Sequence, residues 1–277
     1  MQMICGYQEL LSVLPGWLGK EIDRCGVDGL QEIRLRVGKG VELRGSGRSV
    51  FLQRIVKGED ISFCINTATR YSPWAYETMS EGFITAPGGH RIGVCGEAVG
   101  QPVRTMRNVR SLCIRVAGDF PGIGEELAKI KGSILIIGKP GSGKTTLLRD
   151  LIRQRSRRET VCVIDQRCEL FPGCFETGPR VDVMSGCGKK EAVDMLLRTM
   201  GPDTIAMDEI TLQSDCEAML SAAWCGVELI ATAHASDMKQ LKARSVYRPL
   251  VESGVFQTVA VLQPDKSWRT ERMGICT

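Results

Sequence analysis

The first part of the chain mixes short alternating runs with helical ones. Gln31–Val37 (QEIRLRV) alternates apolar with charged side chains, as a half-buried strand does. Val41–Arg44 and Ser49–Leu52 predict two more strands, joined by a turn at Gly45–Gly47. Gly82–Ala86 and Arg91–Val99 predict a hairpin around Pro87–Gly88–Gly89, and Asn108–Val116 a further strand. Gln8–Leu14 and Glu59–Ala68 have helical spacing. After Ser133 the pattern changes. Ser133–Gly138 (SILIIG), Thr160–Ile164 (TVCVI), Thr204–Met207 and Glu228–Thr232 (ELIAT) are short apolar runs, the mark of strands covered on both faces. Helical patterns lie between them, over Thr145–Arg155, Lys189–Met200 and a segment from Ser214 to about Cys225. In the first of these, Leu147, Leu148, Leu151 and Ile152 share a face, and Arg149 and Arg153 are expected to point away from it. Ser214 and Glu217 have the spacing of a capping box, and Gly226 ends that helix.

The two styles meet at Gly118–Gly124 (GDFPGIG), a stretch rich in glycine and proline. The expectation is a smaller α+β N-terminal domain over residues 1–118 and an α/β domain over residues 119–277. Strands alternating with helices imply a parallel sheet with right-handed crossovers in the second.

The apolar run before Gly138 leads into Gly138-Lys139-Pro140-Gly141-Ser142-Gly143-Lys144-Thr145, which fits G-x-x-x-x-G-K-[ST]. Glycines let backbone N–H groups converge on phosphate oxygens where a Cβ would obstruct them. Lys144 can reach β- and γ-phosphates, the Thr145 hydroxyl can hold Mg²⁺, and the helix that starts at Thr145 and Thr146 adds its dipole. ATP and Mg²⁺ are the expected ligands. Downstream, Thr204–Glu209 (TIAMDE) runs into two acids at a strand's carboxyl end, the ligand edge of doubly wound sheets. Asp208 suits the metal and Glu209 the attacking water; the bland alternative is a pair of solvated acids. Thr232 or His234, ending the ELIATAH strand, can touch a γ-phosphate. Asp165 and Glu169, ending VIDQRCE, either face the nucleotide or are solvated loop acids.

Composition narrows the partners only slightly. The 277 residues carry 36 Lys+Arg and 32 Asp+Glu, a net charge of +4 that demands no nucleic acid. The Arg149–Arg158 run (RDLIRQRSRR) suggests a RecA-like nucleic-acid motor, yet the plainer reading is a solvated helix face. Aromatic residues make up 5% and do not interleave with these cations, against a stacking platform. The 12 cysteines form no C-x-x-C pair, and Cys162, Cys168 and Cys174 lack a zinc spacing, so reduced, packed thiols are expected. The N-terminal stretch resembles no signal peptide and no apolar run is long enough to cross a bilayer, so membrane contact is expected only through partners.

The loop, the Asp-bearing strand end, the DE strand end and the Thr-Ala-His strand end, in that order, resemble the secretion-type ATPases of type II and type IV systems. These carry a Walker A, an Asp box, a Walker B and a His box. With the hairpin Gly82–Val99 (GFITAPGGHRIGVCGEAV), the likeness is closer to the stage III sporulation AA family of endospore-forming bacteria. It implies a RecA-like ATPase domain after an α+β domain and a homo-hexameric ring. It also implies an ATPase of the channel apparatus between mother cell and forespore, working from the mother-cell cytoplasm. Lys144 and Thr145 match the Walker A, Asp165 and Glu169 the Asp box, Asp208 and Glu209 the Walker B, and His234 the His box. Gln166, Cys168 and Thr211 depart from the family pattern, where Glu, Ser and Gly are usual. Arg198, in LRTMGPD, and Arg115, just before the boundary, are the candidates for the arginine that meets the γ-phosphate charge. The competing readings are the nucleic-acid motor and an ATP-bound ring scaffold with negligible hydrolysis.

Overall fold

A computed structural model describes residues 3–4, 6–25, 29–45, 48–70, 82–171 and 175–273. Ser46 and Gly47, at the tip of the expected turn, and Cys174 lie outside these. The chain divides into two compact units, one built from Met1–Asp119 with Pro172–Phe175 and the other from Phe120–Phe171 with Glu176–Thr277.

The first unit runs β1 (Met3–Ile4), α1 (Tyr7–Ser12), α2 (Gly16–Cys25), β2 (Leu30–Arg36), β3 (Gly40–Gly45), β4 (Arg48–Ile55) and α3 (Gly58–Arg70). It continues with β5 (Phe83–Thr85), a 3-10 turn at Pro87–Gly89, β6 (Arg91–Val99), β7 (Thr105–Arg115) and β8 (Gly118–Asp119). Six strands form an antiparallel sheet ordered β4-β3-β2-β7-β6-β5, and β1 pairs with β8. The alternation read in β2 is real. Ile33 and Leu35 enter the core with Leu10, Leu18 and Ile61 from the helices. Glu32, Arg34 and Arg36 line the other face, where Arg36 and Arg44 hold Glu42 down at about 2. His90 is fully buried and ties three segments together. Its Nε2–H donates to the Gly6 carbonyl and its Nδ1 accepts the Ala117 N–H, each at 3.0 Å.

The second unit runs α4 (Glu125–Ala128), β9 (Ile134–Ile137), α5 (Lys144–Arg155), β10 (Val161–Asp165), β11 (Val181–Ser185), α6 (Lys189–Thr199) and β12 (Thr204–Ile210). It ends with α7 (Gln213–Trp224), β13 (Glu228–Ala233), α8 (Met238–Ala243), α9 (Arg248–Ser253), β14 (Thr258–Leu262) and β15 (Trp268–Arg272). The sheet order is β11-β10-β12-β13-β9-β14-β15, parallel except for β15. Every residue of β9 and β10 is buried. Period-two alternation sends Ile134 and Ile136 towards α4 and α5, and Leu135 and Ile137 towards α6–α9. Each leucine or isoleucine so buried contributes about 1.5–3 kcal/mol.

Two expectations for this unit are corrected. Arg149, Arg153 and Arg155 are buried rather than solvated, and only Arg157 and Arg158, at the end of the 149–158 run, are the exposed arginines expected there. Arg149, Arg153 and Arg155 are each only 6% exposed. Their guanidiniums donate to backbone carbonyls, Arg149 to Glu169 and Leu170, Arg153 to Glu176, and Arg155 to Ile130 and Gly132, while Arg153 also pairs with Asp150 and Arg155 with Glu159 and Glu228. Arginine's fork of donors suits loops that leave carbonyls unpaired, which a hydrophobicity pattern does not register. Gly124 lets this layer close on α5, since a Cβ there would come within 2.7 Å of the Leu151 nitrogen. The second correction concerns α7. Asp215, not a Ser214–Glu217 box, caps its start by accepting the N–H groups of Thr211 and Leu212.

Burial pushes the His90 imidazole below its ordinary value. The neutral ring therefore adds stability that is present above about pH 6.5 and lost as pH falls through the lower folded value. Denaturant unfolding of the wild type is expected to show this loss between pH 7 and 5. His90→Ala, which strands the Gly6 and Ala117 groups, is expected to cost about 2 kcal/mol at pH 7 and to remove that dependence. Equal stability of the two proteins at both pH values would contradict the assignment.

Candidate functional site

The carboxyl ends of β9, β12 and β13 are neighbours in the sheet, and the residues read from three separate motifs meet there. The loop after β9 turns sharply through Gly141 (φ 74°) and Gly143 (φ 101°) into α5. Both angles lie where a Cβ is strained. Lys139 and Pro140 are exposed, whereas Ser142 Oγ is buried with no hydrogen-bond partner among the described residues. Lys144 is 6% exposed. Its Nζ donates to the carbonyls of Gly138 and Lys139, both at 3.2 Å, and to His234 Nδ1 at 3.1 Å. Burial pulls this ammonium below its ordinary value, and the nearby Asp208 and Glu209 carboxylates work against that shift.

Asp208 is gripped from a helix and a strand. Thr145 Oγ1 donates to its Oδ2 at 2.8 Å, although 63 residues separate the two in sequence. The Thr232 hydroxyl donates to Oδ1. Glu209 N–H is shared between Asp208 Oδ1 (3.0 Å) and Thr232 Oγ1 (2.8 Å). Glu209 Oε1 meets His234 Nε2 at 2.8 Å. Because Lys144 can only donate, His234 Nδ1 accepts and the ring proton sits on Nε2, facing Glu209. A neutral imidazole thus bridges the lysine and the glutamate. Tyr247 braces it from behind: its hydroxyl accepts the His234 N–H and donates to the Ile210 carbonyl, each at 3.2 Å.

The other expected residues are placed differently. Asp165 is buried, and its carboxylate accepts the N–H groups of Glu169, Leu170 and Phe171 at 2.8, 2.9 and 3.0 Å. It shapes the loop after β10. Glu169 is exposed and lines a small cleft with Asp165, Asp208 and Glu209. Arg167 reaches the same cleft, 3.9 Å from Glu209 Oε2. Arg198 is exposed in the last turn of α6. That helix starts at Lys189 beside Glu209, and Arg198 lies nine residues on, roughly 13 Å along its axis. Arg115 belongs to the first unit, where it ends β7 opposite Glu32 and Arg91.

Sequence reading missed two elements. Beside the loop, on the flank formed by β14 and β15, is a cleft of about 630 Å³ walled by Phe120, Ile123, Leu262 and Trp268 and floored by Gly141–Gly143. No motif marks it; a part-buried tryptophan opening an otherwise polar strand is the hint. Lys189, at the start of α6, donates to the Glu209 carbonyl and to Asp215. Chemically, the cluster offers backbone donors and a lysine for an anion, a hydroxyl–carboxylate pair for a hard cation, and a carboxylate with an imidazole for proton transfer. Among the described residues no group of three or more His, Cys, Asp or Glu can hold a metal unaided, and no helix is long and apolar enough to cross a membrane.

Comparison with known proteins follows the whole chain, not the loop alone. A family model described as Sporulation stage III, protein AA matches residues 8–275. Stage III sporulation protein AA of Bacillus subtilis (strain 168) is 33% identical over 247 residues, covering 82% of this chain and 80% of that protein. The Legionella pneumophila ATPase DotB superposes with a TM-score of 0.62 at 17% identity, over 94% of this chain and 80% of its own. The pilus retraction motor PilT, solved with bound ADP, gives 0.61 at 18% identity, over 87% and 76%. The mixed α/β fold is thus that of secretion ATPases.

Tyr247→Phe removes the hydroxyl between the His234 N–H and the Ile210 carbonyl and is expected to cost about 1–2 kcal/mol in denaturant unfolding. An unchanged midpoint would show that Tyr247 does not brace this edge.

Proposed function

The chain belongs to the sporulation stage III protein AA family, and on that premise we propose that it is an ATP-hydrolysing motor of a secretion-type apparatus. The observation that carries the reading is the contact of Thr145 with Asp208 at 2.8 Å, with Glu209 alongside and hydrogen-bonded to His234. In this reading the backbone amides of 138–146 cradle the β- and γ-phosphates, for which the unpartnered Ser142 hydroxyl is a further donor. The adenine lies in the apolar cleft against Leu262 and Trp268.

Thr145 and Asp208 are the hard oxygen donors that Mg²⁺ takes together with phosphate oxygens. When bound, Mg²⁺ neutralises charge on the β- and γ-oxygens. Lys144 exchanges its two carbonyl acceptors and His234 for a γ-phosphate oxygen, which an anion wins easily over neutral acceptors. His234 is then released towards the phosphate while its Nε2–H still holds Glu209. Glu209 takes a proton from the attacking water. The remaining charge is met by an arginine, for which Arg115 and, from a neighbouring copy in a homo-hexameric ring, Arg198 are the candidates. Burial of Arg149, Arg153 and Arg155 removes cations on which the nucleic-acid reading relied. The setting is the mother-cell cytoplasm, with membrane contact through channel proteins of the same apparatus.

Steady-state phosphate release with Mg·ATP tests the site. Lys144→Ala and Glu209→Gln are each expected to lower it by about 10²-fold or more. Glu209→Gln should still bind a fluorescent ATP analogue, whereas Trp268→Ala should weaken that binding about tenfold. Wild-type turnover by Glu209→Gln would exclude Glu209 as the base. An unaltered Kd in Trp268→Ala would remove the cleft from the site.

A further inference from the structure

A cation at the first residue of a helix is locally unfavourable, because the helix dipole concentrates positive partial charge there. Lys189 nevertheless opens α6. Its side chain, 9% exposed, turns inward onto the Glu209 carbonyl and onto Asp215 Oδ2 at 3.1 Å. The same Asp215 oxygen accepts the N–H groups of Thr211 at 2.9 Å and Leu212 at 3.1 Å. Lysine and aspartate therefore clasp the turn that leaves β12, one at its first carbonyl and the other at its last amides.

That turn starts from strained backbone. Glu209 has φ 47°, in the left-handed region, and the pairing of β12 with β13 shifts register between Met207 and Ile210. The strain has a use. Adjacent residues of a regular strand point to opposite faces. Here Asp208 and Glu209 are adjacent, yet one carboxylate reaches Thr145 and Thr232 while the other reaches His234 at the same sheet edge. The left-handed kink at Glu209 is what permits this, and a non-glycine residue keeps such a kink only when its surroundings hold it.

We propose that Lys189, fixed by Asp215, is a positioning residue for the general base: it locks the Glu209 backbone in the conformation that presents the carboxylate to His234 and the attacking water. This rests on Glu209 acting as the base in the hydrolysis proposed above.

The test compares the full-length wild type with Lys189→Met, Lys189→Arg and Asp215→Asn. Steady-state ATPase and fluorescent ATP-analogue binding are measured on the same preparations, with rates expressed per nucleotide-binding site. Lys189→Met keeps the chain length and loses the charge and donors. It is expected to lower kcat by about 10–100-fold, because a misplaced base costs rate rather than binding. KM and the analogue Kd should stay within about twofold of the wild type. Lys189→Arg should recover part of the rate, and Asp215→Asn should fall between. An active wild type matched by Lys189→Met in kcat per site would overturn the proposal alone. So would a Lys189→Met that loses nucleotide binding along with rate, since that is collapse of the site rather than misplacement of the base. A wild type that binds nucleotide and releases no phosphate would overturn the hydrolysis reading itself, and this role with it.

Discussion

A lysine cation withdrawn from water governs the arrangement of this site. Lys144 sits at the start of α5, where a helix dipole and burial both oppose its charge. It is kept there by acceptors drawn from two elements: the carbonyls of its own loop and the imidazole of His234. Those acceptors fix the loop's path, the tautomer of His234 and, through Nε2–H, the carboxylate of Glu209. An ammonium so placed has favourable neighbours and still lacks a full counter-charge, which makes it a strong attractor for a phosphate.

Strand order explains why these groups meet. β13 lies between β9, which delivers the loop, and β12, which delivers Asp208 and Glu209. Contacts between loop and acids pass over the end of β13, directly from Thr145 to Asp208 and through His234, which touches both Lys144 and Glu209, with Thr232 of β13 holding Asp208. The two flanks of the loop then differ in character. Towards β10 and β12 the lining is charged; towards β14 and β15 it is apolar, with Leu262 and Trp268. A ligand with a polyanionic end and a flat, largely apolar end matches that division.

Much of this was legible in the chain's pattern because it depends on local rules. Buried parallel strands need continuous apolar runs, and a loop that wraps an anion needs glycines, so β9, β10, β13 and the 138–145 loop could be read directly. Asp208 and Glu209 could be read because they end such a run. What escaped depends on three-dimensional bookkeeping of hydrogen bonds. Arg149, Arg153 and Arg155 look like solvent-facing charges until the carbonyls of Ile130, Gly132, Glu169, Leu170 and Glu176 are seen to need donors. Asp165 ends a strand as a ligand-facing acid does, and the three backbone amides its carboxylate also accepts are not visible in the sequence. Ser214 and Glu217 have capping-box spacing, but Asp215 is nearer the free amides. The cleft beside the loop combines Phe120, Ile123, Leu262 and Trp268, which no sequence window contains together.

The central claim is that nucleotide draws Lys144 away from His234. The chain has only 2 histidines, His90 and His234, so their imidazole ¹⁵N resonances can be followed one by one. His90, buried in the first unit against Gly6 and Ala117, serves as an internal reference. Titration with Mg²⁺ and a non-hydrolysable ATP analogue is expected to shift His234 Nδ1 as its hydrogen bond from Lys144 is lost, with His90 unmoved and ADP producing a smaller change. A saturating analogue that leaves His234 Nδ1 where it began, while resonances of the 138–145 loop move, would contradict the account.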